Sequence, residues 1–159
     1  MLELGLFDEV GEVVRGLLPP ALRPGLQCRA QRYGVKVWFE AAADVAGKPA
    51  KAHYEAQVIS KKGVVGAKVL GLEIGFHAEY PDAARNDSLL ARLTAAKAER
   101  TWREALGPEA VAGPFLGRAD TWRRVSETWA DPDLSDPELA MEVGARLTDY
   151  ICALEPHLR

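Results

Sequence analysis

A chain of 159 residues, 48% hydrophobic and 27% charged, is expected to form one domain over residues 1–159 and to bury about two-thirds of its unfolded surface. Its net charge of −3 gives no electrostatic footprint for nucleic acid or an anionic membrane. No apolar run approaches the ~20 residues that span a bilayer. Met1-Leu2-Glu3-Leu4 carries an early acid and no basic leader, so a cytoplasmic protein without a signal peptide is expected.

The first element reads as a helix, because Leu6, Val10, Val13, Val14 and Leu17 recur at three- and four-residue spacing. Pro19-Pro20 stops it. Leu26 to Glu40 reads as one long strand. Tyr33, Val35, Val37 and Phe39 take one side; Gly34, Lys36, Trp38 and Glu40 take the other. Lys51 to Lys61 reads as a second strand, with Ala52, Tyr54, Ala56 and Val58 against His53, Glu55, Gln57 and Ile59. The third runs from Lys68 to Tyr80. Leu70, Leu72, Ile74, Phe76, Ala78 and Tyr80 form its apolar face, and Gly71, Glu73, Gly75, His77 and Glu79 the other. Gly71 and Gly75 are read as marking a bulge. Short links between the three predict an antiparallel meander.

Asn86-Asp87-Ser88 offers caps for a long helix to Leu106, stopped by Gly107-Pro108. Its stripe is broken: Leu89, Leu93 and Ala96 share a face, whereas Trp102 and Leu106 fall nearly opposite. Gly113 to Gly117 and Thr121 to Trp129 read as a short β region of poor alternation. Asp136-Pro137-Glu138 starts a last helix with the stripe Leu139, Val143, Leu147, Tyr150, Ile151 and Leu154, and Pro156 is expected to end it. The order α-β-β-β-α-β-α predicts the α+β class. In that class, three long strands and a shorter C-terminal β region form an antiparallel meander covered on one face by helices. The other face is expected to be wet or to meet another chain.

With its elements in this order, the chain resembles the α+β fold of type III secretion chaperones. That resemblance implies a small acidic cytosolic protein that dimerises or holds a partner polypeptide. The stretch with Leu72 to Tyr80, Asn86, Leu90 to Leu106, Gly107 and Trp122 is also similar to an uncharacterised bacterial domain often attached to restriction-associated nucleases. Neither resemblance carries a chemical motif, so each bears on architecture alone.

The sharpest site candidate is Glu73, His77 and Glu79 with His53, Glu55 and Gln57 on the neighbouring strand. If registers match, carboxylates and imidazoles would crowd one patch able to ligate a divalent ion and activate water. The favoured reading is blander: a solvated sheet face with cross-strand pairs to Lys36, Lys51 and Lys68. Trp38 is a candidate interface anchor if exposed on that face, or is buried if the segment with Trp122 or Trp129 folds over it. Arg85, Arg92, Lys97, Arg100, Arg103, Arg118, Arg123 and Arg124 are interspersed with acids, as on a mixed-sign surface. Cys28 and Cys152 are read as buried thiols, with a disulfide as the alternative. No phosphate loop, Gly-x-Ser-x-Gly, Cys-x-x-Cys or His-Glu-x-x-His occurs.

The leading expectation is therefore a non-catalytic interaction or chaperone-like module without a cofactor, binding itself as a homodimer or another protein. The alternatives are a metal-dependent hydrolase or nuclease using the sheet-face cluster, and a small-ligand protein with a pocket between sheet and long helix.

Overall fold

The computed structural model describes residues 5–117 and 120–159. The Met1 to Leu4 segment and Arg118 lie outside them. Six strands pair antiparallel in the order β1-β2-β3-β4-β6-β5, where β1 is Leu26–Gln31, β2 Gly34–Phe39, β3 Ala52–Ser60, β4 Leu70–Ala78, β5 Val111–Pro114 and β6 Arg123–Ala130. The helices are α1 (Leu6–Leu17), α2 (Ala83–Thr94), α3 (Ala96–Leu106) and α4 (Leu139–Leu158). The α+β class with an antiparallel sheet covered by helices is what the chain adopts.

Alternation fixes which face is covered. Val35, Val37, Tyr54, Ala56, Leu72, Ile74, Phe76 and Val125 all join one buried apolar cluster. Leu6, Phe7, Val10 and Val14 of α1 and Val143, Leu147, Tyr150, Ile151 and Leu154 of α4 complete it. α1 and α4 approach closely because Gly144 has no side chain; a Cβ there would stand 2.5 Å from Val13 Cγ1. Among the described residues, no helix is long and apolar enough to cross a membrane.

Several local expectations are corrected. Leu26 to Glu40 is not one strand but a hairpin, with Gln31 opposite Gly34 across an Arg32-Tyr33 turn. The helix expected to Leu106 is two helices meeting at Ala95, where ψ of 135° leaves the helical region. The break gives each half its own buried face, Leu93 in α2 and Ala98, Trp102 and Leu106 in α3. The Trp102 indole N–H donates to the Leu93 carbonyl at 2.7 Å, satisfying an acceptor freed by the break. The first helix of the pair starts earlier than expected. Asp82 caps it, accepting from the Ala84 amide at 3.0 Å, while Asn86 is buried and bonded to Tyr80 and Thr121. Pro156 sits inside α4 rather than ending it. β4 pairs in unbroken register with both neighbours, so neither Gly71 nor Gly75 marks a bulge. Cys28 and Cys152 are free thiols.

Candidate metal centre

Over β3 and β4, the sheet face away from the helices is not wet. The registers place three rungs across it: His53, His77 and Arg124; Glu55, Gly75 and Ser126; Gln57, Glu73 and Thr128. Glu73 and His77 are 0% exposed, which overturns the solvated-face reading. Lys36, Lys51 and Lys68 make no ion pair with the cluster; its charges pair with one another. Two layers exclude water. The Phe115 ring packs edge-on against His77 at 4.7 Å between centroids, backed by Trp122 at 5.3 Å from Phe115. On the other side, the loop before β3 brings the Ala50 carbonyl within 2.8 Å of His53 Nδ1.

The hydrogen bonds define what each ring nitrogen presents. A carbonyl only accepts, so His53 Nδ1 carries the proton and donates to Ala50. His53 Nε2 is hydrogen-bonded to Glu55 Oε1 at 3.0 Å and stands 3.6 Å from Glu79 Oε2; it would present a lone pair only to an ion that took the place of that hydrogen bond. His77 is held the opposite way round. Its Nε2 donates to Glu73 Oε2 at 2.9 Å, and Nδ1 lies 3.2 Å from both Glu55 Oε1 and Glu79 Oε2. Neither oxygen is angled to bond it. Among the described residues, His77 Nδ1 is the buried side-chain polar atom without a hydrogen-bond partner. Glu73 is fixed in turn. Gln57 Nε2 donates to its Oε1 at 2.8 Å and Ser126 Oγ to its Oε2 at 2.7 Å, with Arg124 donating to Ser126 Oγ at 2.8 Å.

The cluster concentrates negative charge around the two imidazoles. Burial opposes ionisation of Glu55, yet the hydrogen bond to His53 and the positive charge of His77 beside it outweigh it and hold the carboxyl well below its usual range. Glu73 and Glu79 are lowered in the same way, against their burial, chiefly by His77. Burial disfavours a charged His77, but Glu73, Glu55 and Glu79 overcome that and raise it well above an ordinary histidine. A proton on His77 satisfies the charge but not the angles at Nδ1. A divalent ion bound at Nδ1 would answer both. One ligand atom each from His53, Glu55, His77 and Glu79 lies within 4.8 Å of the others. Donors bound at about 2.0–2.2 Å around a tetrahedral ion stand roughly 3.3–3.6 Å apart; the four histidine-to-carboxylate spacings of 3.0–3.6 Å lie near that range, while the set as a whole, spread over up to 4.8 Å, would have to draw in by about an ångström. Histidines whose far nitrogen is tied to a carbonyl or a carboxylate are the usual support of such ions.

Glu55 and Glu79 open onto a cavity of about 670 Å³, with Tyr33 and Lys36 in its wall and the 44–51 loop along its rim. This cavity lies on the strand face opposite the helices, not between the sheet and a long helix. Glu73 borders a second hollow of about 720 Å³ beside Phe115 and Arg124.

All five predicted residues, His53, Glu55, Glu73, His77 and Glu79, come together, with Glu73 behind His77 rather than beside the others. Trp38 does not serve as an exposed anchor: it is 4% exposed and buried within the chain, which removes the surface that reading needed. Nor does Trp129 cover it, since Trp129 packs against the main core and lies opposite Leu72. The arginines behave as a mixed-sign surface does, with Arg85 on Asp44, Arg103 on Glu99 and Arg123 on Asp87. Sequence reasoning missed the Ala50 carbonyl, Ser126 and the Phe115 lid. Ser126 shares β6 parity with Arg124, a signal hidden by the poor alternation around Trp122 and Trp129. No protein-family model matches the chain, and neither a curated protein nor a solved structure shows significant similarity to it.

Proposed function

We propose that this protein is a metal-dependent hydrolase in which His53 Nε2, His77 Nδ1 and Glu55 hold a divalent ion and Glu79 acts as the base beside it. The observation that carries the reading is His77 Nδ1, fully buried, aimed at two carboxylates and bonded to neither. Two histidines and a glutamate are a donor set of catalytic zinc sites, and the same set with added water suits manganese or iron(II). A bound ion lowers the pKa of its water toward about 7 and so supplies hydroxide at neutral pH. Glu79 is the least buried of the four ligand-bearing residues and lines the cavity, so it is placed to take that water's proton. The interaction-module reading rested on the missing catalytic motif, the one-sided sheet and an outward Trp38; burial of Trp38 removes the last of these.

Calorimetric titration of the metal-stripped protein with Zn²⁺ and with Mn²⁺ tests this. One ion per chain is expected, with affinity lost in Glu55→Gln and His77→Ala. Glu79→Gln should keep the ion and lose ester hydrolysis. Failure of the wild-type protein to bind either ion, with its fold confirmed by circular dichroism, overturns the reading.

A further inference from the structure

We infer that the cavity beside the metal centre takes a phosphate ester, with its phosphoryl group held between the centre and Lys36. The inference rests on the proposed metal site and adds the substrate class.

The cavity wall is cationic although the chain as a whole is acidic. Arg29, Lys36, Lys48 and Lys51 line it, against Asp44, Glu55 and Glu79. Those acids are already engaged: Asp44 with Arg85, and both glutamates with His53 and His77. Lys36, Lys48 and Lys51 make no ion pair among the described residues. Lys36 stands on β2 directly opposite Glu55, half-buried, at the floor of the cavity. A half-buried ammonium one strand from a carboxylate would ordinarily pair with it; here Glu55 is turned toward the imidazoles and Lys36 is left over. Arg29 holds the loop over the cavity by donating to the Gly47 carbonyl at 2.9 Å. Lys48 and Lys51 belong to that loop, so cations line the cavity at both floor and rim.

A phosphoryl group suits this arrangement better than a carboxylate. It carries up to two charges and three free oxygens, enough to reach an ion and separate ammonium groups at once. The volume falls within the usual small-molecule range of roughly 300–1,000 Å³. Tyr33 and Val45, both more than half exposed, give the organic part apolar wall. In the reaction, the water oxygen bonds to phosphorus and the ester P–O bond breaks. The proton taken by Glu79 passes to the departing alkoxide, giving alcohol and inorganic phosphate with no redox change.

The test uses the full chain, first titrated with Zn²⁺ and then assayed on p-nitrophenyl phosphate and p-nitrophenyl acetate, with inorganic phosphate as inhibitor. Phosphate-ester turnover and competitive inhibition by phosphate are expected. Lys36→Gln and the Lys48→Gln/Lys51→Gln pair should each raise KM and weaken phosphate inhibition by roughly tenfold or more, with zinc still bound at one per chain. Zinc binding with acetate-ester turnover but no phosphate inhibition overturns this inference and spares the metal centre. Absence of zinc binding overturns both. Unchanged phosphate inhibition in the lysine variants overturns the assignment of these residues.

Discussion

Glu73 and His77 lie four residues apart on one strand and are hydrogen-bonded at 2.9 Å. An extended strand separates such positions by about 13 Å, so the two side chains must lean toward each other over the residue between them. That residue is Gly75, which has no side chain to stand in the way and lies directly opposite Glu55 and Ser126. Its φ of 154° is one that residues with a Cβ rarely adopt, and a Cβ would fall 2.3 Å from the Val125 carbonyl oxygen. Gly75→Ala is therefore expected to destabilise the fold by at least about 2 kcal/mol in urea denaturation, and to weaken ion binding together with stability. A variant of wild-type stability would mean that this close approach of backbones is not needed.

Ser126 is not one of the candidate ligand residues but donates to the carboxylate that orients His77. Ser126→Ala should cost about 1–3 kcal/mol through the buried acceptor it leaves less satisfied, and should weaken the ion roughly 10–100-fold. A loss of stability with unchanged ion affinity would make Glu73 a structural group and detach it from the site.

An ion that binds only the native state must raise its stability. At a hundredfold excess over its dissociation constant the gain is about 2.7 kcal/mol, which for a chain of this size is a Tm rise of roughly 5–10 °C. Chelator should reverse the shift, and Glu55→Gln should abolish it. Thermal melts with and without Zn²⁺ measure both.

Asp131 provides a separate handle on acid stability. It sits at φ 49°, just beyond β6, and its carboxylate accepts the amides of Lys68, Val69 and Leu70 at 2.7–3.2 Å where β4 begins. Those amides hold its pKa below the ordinary 3.8. A depressed native pKa contributes stability that is complete above the ordinary value and disappears as pH falls through the native one. Asp131→Asn tolerates the same backbone region and removes the charge together with one of the two acceptor oxygens. The variant should be less stable near neutrality, with the difference shrinking as the pH falls below 3.8. A gap independent of pH would contradict the assignment.

The sheet was legible where period-two patterning was strict. On β3 and β4 the apolar parity of Tyr54, Ala56, Leu72, Ile74 and Phe76 is the parity of the core, and His53, Glu55, Glu73 and His77 share the other face as read. The hairpin at Arg32-Tyr33 was not legible, because its two central residues are not turn formers and the alternation of Tyr33, Val35, Val37 and Phe39 runs through it, leaving Gly34 at the closing position as the only mark. The break at Ala95 was hidden by a residue that favours helix. Burial of the polar face was the costliest omission. It depends on Phe115 and Trp122 arriving from a distant segment, and local pattern carries no trace of that. Gly75 was visible, but its use as the space between Glu73 and His77 required the register.

The four donor residues fall between positions 53 and 79, all on or just beyond the β3–β4 pair. Closing that one long pairing brings them together before the outer strands or α4 need to be in place. An ion captured there would act as a clasp on the middle of the sheet during assembly, and loading and folding would be a single event.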